Sequence, residues 1–143
     1  MADTFTIEIV TPTHLVARET VTEAQIPVLG GYIGVLPGHT PLLAEMGAGE
    51  LSYRDGNRIY SCTAIGGFVE VLSDRVIVLA DKSERAEEID VPRAQAARDR
   101  ALKRMSNPND PNVDWKRAEQ ALARAEVRLQ VATKSGSVTA SAH

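Results

Sequence analysis

The chain has a single cysteine, Cys62, so no disulfide can close within one copy and no thiolate cluster can hold a metal. Cys62 sits in Tyr60-Ser61-Cys62-Thr63-Ala64 with no cation beside it in sequence, and reads as a buried structural thiol rather than a nucleophile. Histidines are scarce: His14, His39 and His143 show no spacing that a general base or metal site would need. There is no phosphate-cradling P-loop, no Gly-x-Ser-x-Gly elbow and no His-Glu-x-x-His helix, so no catalytic residue and no metal ligand is assigned. No apolar run approaches the roughly 20 residues that cross a bilayer, so membrane association is expected only through other proteins. The first residues lack the basic flank and apolar stretch of a secretory signal, and a cytosolic protein is expected.

What is present is an ordinary globular composition, 43% hydrophobic and 24% charged over 143 residues, enough for one domain with an appendage. The net charge of −3 hides a division. Residues 1–89 carry 6 basic and 13 acidic side chains, residues 90–143 carry 10 and 6, so the parts stand at −7 and +4. They are expected to face different partners. Nucleic acid is not among them, because the basic excess lies on a narrow helical pair with one aromatic, Trp115.

Period-two patterning dominates the first part. Phe5, Ile7 and Ile9 alternate with polar residues, and a second extended stretch runs from about Leu15 to Ile26, closed by Pro27. Asp55-Gly56 between strand-like flanks predicts a tight hairpin. Ala64 to Leu72 and Arg75 to Ala80 flank a turn at Ser73-Asp74, and the last of these strands is apolar on both faces, as if layers closed over it. Short strands with turns about every 8 to 12 residues favour a sandwich or barrel, and the lack of helical crossovers argues against a parallel α/β sheet.

From Asp90 the period becomes helical, with Asp90 placed to cap and Pro92 in the first turn. Ala94, Ala97, Ala101 and Met105 make one stripe; Ser106 to Asn112 breaks it with two prolines. Trp115, Ala118, Leu122, Ala125, Leu129 and Ala132 make the facing stripe of an antiparallel pair. Burying an alanine methyl yields less than about 1 kcal/mol, while ordering each backbone residue costs roughly 1–2 kcal/mol, so this seam reads either as weak and able to detach or as alanines that simply let two helices pack closely at rest. The domains are read as 1–86, all β, and 87–134, a helical hairpin, with 135–143 a disordered tail.

The most distinctive stretch runs from Gly30 to Leu43, with four glycines and two prolines in its first twelve residues. It reads as an exposed loop carrying Tyr32 and Ile33 at its tip, awaiting a partner.

This stretch, Gly31-Tyr32-Ile33-Gly34-Val35-Leu36-Pro37-Gly38-His39-Thr40-Pro41-Leu42-Leu43, resembles the signature of the epsilon subunits of F-type ATP synthases. Gly66-Gly67-Phe68-Val69-Glu70-Val71 with Val76 to Asp81 resembles the family's late strands, and Ile89-Asp90-Val91-Pro92-Arg93-Ala94 the start of its helical domain. The resemblance implies a mostly β protein with an α appendage: an N-terminal β-sandwich of about ten strands, then a C-terminal antiparallel two-helix hairpin. It implies a non-catalytic rotor-stalk subunit, peripheral on the cytoplasmic side of a bacterial inner membrane, that couples proton-driven rotation to ATP synthesis. The implied partners are the gamma subunit, the c-ring and the alpha/beta catalytic head.

By position, Gly30, Gly31, Tyr32, Ile33 and Gly34 would meet the c-ring, and His39, Pro41 and Leu43 would meet gamma. Some members carry an acidic residue where Tyr32 stands; tyrosine offers apolar area with a polar tip instead. The hairpin would brake ATP hydrolysis by extending into the head, with Arg93, Arg98, Arg100, Arg124 and Arg128 among its contacts. No cofactor is required, but some members bind regulatory ATP on the folded hairpin. The matching set here is Glu84, Ile89, Asp90, Arg93, Ala94, Arg100, Arg124 and Arg128, whose guanidiniums suit phosphates and whose Asp90 suits an adenine amine. The alternatives are a free-standing ATP sensor whose hairpin closes on nucleotide, and a small hydrolase using His39.

Overall fold

Alternation produces the first strand as read: in the computed structural model, which describes residues 3–134 and 138–139, Phe5, Ile7 and Ile9 are buried and Thr6, Glu8 and Val10 half-buried. Eight strands precede the helices, rather than the ten expected: β1 (Phe5–Val10), β2 (Leu15–Val21), β3 (Glu23–Val28), β4 (Gly31–Val35), β5 (Leu42–Glu45), β6 (Ala48–Asp55), β7 (Arg58–Val71) and β8 (Arg75–Lys82). A 3-10 turn (Ala86–Glu88) leads into α1 (Val91–Met105) and α2 (Trp115–Ala132), and a two-residue strand, β9 (Val138–Thr139), follows. The stretch expected as one strand from Leu15 to Ile26 is two, broken at Thr22, whose N–H donates to the Arg54 carbonyl at 2.9 Å. Pro27 does not end that stretch but lies inside β3, beyond Gln25, where pairing with β6 stops and a backbone donor is no longer needed.

The strand order is β2-β1-β8-β7-β6-β3-β4, with β5 and β9 also on β7. What makes this a sandwich is β7, 14 residues long and shared between layers. Its first half, Arg58 to Ile65, pairs with β6; its second half pairs with β8 on one side and β5 on the other. The change falls at Gly66-Gly67, with φ of +68° and +95°. A Cβ on Gly67 would stand 1.9 Å from the Leu79 carbonyl oxygen, so no side chain fits there.

β1 and β8 pair in parallel, from Thr6 opposite Arg75 to Val10 opposite Leu79. The sheet is not a parallel α/β sheet, as expected from the missing helical crossovers; this parallel pair needs none, because six strands intervene and the whole sandwich serves as the connection. Ile7, Ile9, Ile26, Leu51, Val69, Val71, Val76 and Val78 meet in one core. The layer expected to cover both faces of β8 is missing on one: Val76 and Val78 are enclosed, whereas Leu79 is 54% exposed.

At the tight hairpin, the two-residue loop is Gly56-Asn57, and only Gly56 (φ +62°) takes the left-handed conformation, as in turns with glycine first. Asp90 and Asp114 cap α1 and α2 alike, each accepting the N–H three residues on at 3.1 Å. Ala94 and Ala101 of α1 meet Ala118 and Ala125 of α2 in a buried seam. Trp115, expected in that seam, is 39% exposed, its indole donating to Glu119. The largest buried side chain of α2 is Val131, which is not in the seam: it packs with Ala86 and Ile89 beside the sandwich. Of the expected tail, Val138–Thr139 pairs with Ile59 and Arg58 of β7, and the rest lies outside the described residues.

Candidate functional site

Among the described residues, Cys62, His39 and His14 are each enclosed or engaged by neighbours. Cys62 is buried, and burial pushes its thiol up to about 12. His39 Nδ1 donates to the Thr40 carbonyl at 2.6 Å, and His14 Nδ1 lies 2.9 Å from Thr13 Oγ1. Among the described residues, no three His, Cys, Asp or Glu side chains come together as a metal site. The distinctive surfaces are therefore the ones that offer contact rather than chemistry.

The first surface is the β3–β4 hairpin. Tyr32 and Ile33 are not at a loop tip, as expected, because Gly31–Val35 is itself a strand paired along β3. Ile33 opposes Ile26 and packs on the core, and the tip is Leu29-Gly30, with Leu29 62% exposed and Gly30 at φ +85°. Leu29 was missed because it precedes the glycine run, and only the turn position makes it protrude. Tyr32 folds back over β6: its hydroxyl accepts the Glu50 N–H at 3.1 Å, and a Cβ on Gly49 would meet that hydroxyl at 2.7 Å. Gly49 is thus needed for the ring to reach across. Of the five residues matched to a ring contact, Gly30, Gly31, Tyr32 and Gly34 are exposed and Ile33 is half-buried.

The second surface is a row of apolar side chains across four strands. Phe68 opposes Leu79, Leu79 opposes Val10, and Val10 opposes Leu15, in register on β7, β8, β1 and β2. Phe68 is 51% and Leu15 46% exposed, and a cleft of about 450 Å³ lies beside Phe68, Leu79 and Val10. Leu43, 69% exposed on β5, opposes Glu70 at the edge of this row. His39 is half-buried and Pro41 exposed in the segment leading to β5, where Leu43 stands. Open apolar area of this extent is unfavourable in water and marks a contact surface.

The third is the seat of the helices, where α2 lies against β6 and β7. Arg128 Nε donates to Glu84 Oε1 at 2.6 Å. Glu50 accepts from Gln130 Nε2 at 3.0 Å, Lys134 Nζ at 2.9 Å and Ser61 Oγ at 2.9 Å. The −7 part and the +4 part thus meet charge to charge.

The set matched to ATP is scattered over roles. Asp90 caps α1, Ile89 packs on Val131, Ala94 lies in the helix seam and Glu84 holds Arg128. Arg93 and Arg100 are exposed and Arg124 is half-buried; none forms an ion pair among the described residues.

A small β-sandwich with an open apolar row, joined to a helical pair seated by charge, is the build of a protein that works by contact with other chains. Residues 4–86 match the family model described as ATP synthase, Delta/Epsilon chain, beta-sandwich domain, and residues 87–133 match the long alpha-helix domain of the same chain. The chain is 49% identical over 134 residues to the ATP synthase epsilon chain of Solibacter usitatus, covering 94% of this chain and 99% of that one. It is 44% identical over 135 residues to the epsilon chain of Syntrophobacter fumaroxidans, covering 94% and 100%. A chain of the Euglena gracilis mitochondrial ATP synthase structure shares the fold, with a TM-score of 0.78 at 24% identity over 93% of this chain and 83% of that one. This chain belongs to the ATP synthase delta/epsilon family.

Proposed function

We propose that this chain is the epsilon-type subunit of an F-type ATP synthase, an accessory and non-catalytic part of the rotor stalk. Its partners are the gamma subunit, the c-ring and the alpha/beta head, and through them it belongs to a membrane-associated complex. No described helix is long and apolar enough to cross a membrane. The side it occupies is the cytoplasmic face of the bacterial inner membrane. A free-standing ATP sensor or a His39 hydrolase is not favoured: relatives of matching length are ATP synthase chains, and His39 is engaged by its own neighbour's carbonyl.

The observation that carries the reading is the apolar row Phe68–Leu79–Val10–Leu15, continuous with Leu43. It offers gamma a flat, dry contact, while the Leu29-Gly30 turn and Tyr32 offer the ring a protruding edge. The hairpin brakes hydrolysis when it leaves its seat, its arginines turning to acidic surfaces of the head. Regulatory ATP would draw on Arg93, Arg100 and Arg124, and on Arg128 if phosphate outcompetes Glu84. Calorimetry of the whole chain with millimolar ATP tests that part; no heat removes it.

The main test is capture of tagged gamma by the full chain. Phe68→Ser with Leu79→Ser should abolish capture while the far-ultraviolet circular dichroism stays that of the parent. Undiminished capture would remove the apolar row from the gamma contact.

A further inference from the structure

One residue belongs to both the ring-facing edge and the seat of the helices. The backbone N–H of Glu50 donates to the Tyr32 hydroxyl at 3.1 Å, and its side chain accepts from Ser61, Gln130 and Lys134 at 2.9–3.0 Å. Its side chain is 11% exposed. A carboxylate so withdrawn from water depends on its donors, and removing them leaves a charge poorly solvated. Gln130 lies in the last turn of α2 and Lys134 two residues beyond it, so their bonds break whenever the hairpin leaves.

Tyr32 reaches this residue for a structural reason. The pairing of β3 with β6 stops at Gln25 opposite Ser52. Pro27 then stands between β4 and β6, and a Cβ on Gly49 would lie 2.6 Å from the Pro27 side chain. No β3 strand bond reaches Glu50 at this point, and the Tyr32 hydroxyl accepts its N–H instead. The local path of β6 through Glu50 is therefore held on that side by one tyrosine of an edge hairpin.

Resting on the reading above, we propose that Glu50 is a latch for the helical hairpin, and that Tyr32 couples the latch to whatever the β3–β4 edge touches. A partner that takes the Tyr32 hydroxyl frees the Glu50 N–H, lets β6 shift, and loosens the carboxylate's grip on Gln130 and Lys134. The rotor contact and the brake are then linked within this subunit, by a path two residues long. The link is reciprocal, so a docked hairpin also favours the folded-back Tyr32.

Amide hydrogen exchange of α2, measured on the full chain at low salt, reads the latch directly. Glu50→Gln and Lys134→Glu should each speed exchange at the end of α2 roughly tenfold or more, in line with the worth of a hydrogen bond to a charged group. The exchanged pair, Glu50→Lys with Lys134→Glu, should restore most of the protection. Unchanged exchange in Glu50→Gln, or no restoration by the exchanged pair, overturns the latch. Tyr32→Phe keeps the ring and loses the acceptor; it should raise α2 exchange by a smaller factor, and exchange equal to the parent overturns the coupling. Gamma capture, which uses a different face, separates the two readings: parent protein that fails to capture gamma while Glu50→Gln still frees α2 defeats the subunit assignment and leaves the latch standing.

Discussion

The two parts of the molecule are held by different physics. In the sandwich the enclosed side chains are large, with Ile7, Ile9, Ile26 and Leu51 all fully buried, each removing enough apolar surface from water to contribute roughly 1.5–3 kcal/mol. In the helices the buried residues are Ala94, Ala101, Ala118, Ala125 and a single valine, Val131. Their seat on the sandwich adds polar and ionic bonds to that one valine: Glu84 with Arg128, and Glu50 with Gln130 and Lys134. Apolar burial of this depth is lost only by unfolding, whereas an ionic seat can be traded for another acidic surface. The difference is what the proposed function, a fixed platform with a releasable arm, requires.

The largest expected break in this comparison is in the platform. Leu51→Ala should cost about 2–5 kcal/mol of unfolding free energy in a denaturant titration, because the surrounding strands cannot collapse into the space. A cost under about 1 kcal/mol would mean the core is far looser than its burial implies.

Alkaline pH should separate the parts next. Burial raises the Cys62 thiol from about 9 to about 12, and burial also raises the Tyr53 phenol from about 10 to about 12. Both pKa values are raised in the folded state, so their contribution is intact below pH 9 and is lost as pH rises toward 12. The sandwich should therefore melt at progressively lower temperature above pH 9, and Cys62→Ala should flatten that decline. A Cys62→Ala profile parallel to the parent's would show that the thiol has no part in it.

The smallest effect sharpens the boundary itself. Val131→Ala should cost about 1–3 kcal/mol, confined to the hairpin: amides of α2 exchange faster while those of β7 keep their protection. Equal loosening of β7 would mean that the two parts unfold as one.

Much of the sandwich was readable because strand periodicity is local. Phe5, Ile7 and Ile9 announce their buried face within six residues, and Gly56 announces a turn by its own conformational freedom. The helix seam was readable for the same reason, through alanines three and four apart. The surfaces were less so. Leu79 looked like a residue under a second layer, since an apolar side chain carries no mark of whether its face is covered. Leu29 looked ordinary until the turn placed it at a tip.

Local pattern thus determined the element types, the cap at Asp90 with Pro92 in the first turn and the charge division between the two parts, and three motifs sufficed for the family resemblance. Tertiary structure alone decided the parallel pairing of β1 with β8, the second buried face of α2 at Val131, and the role of Glu50. The reason is separation along the chain. Glu50 finds Gln130 and Lys134 at 80 and 84 residues' distance, and no local period or motif encodes a contact that exists only after both parts have folded and met.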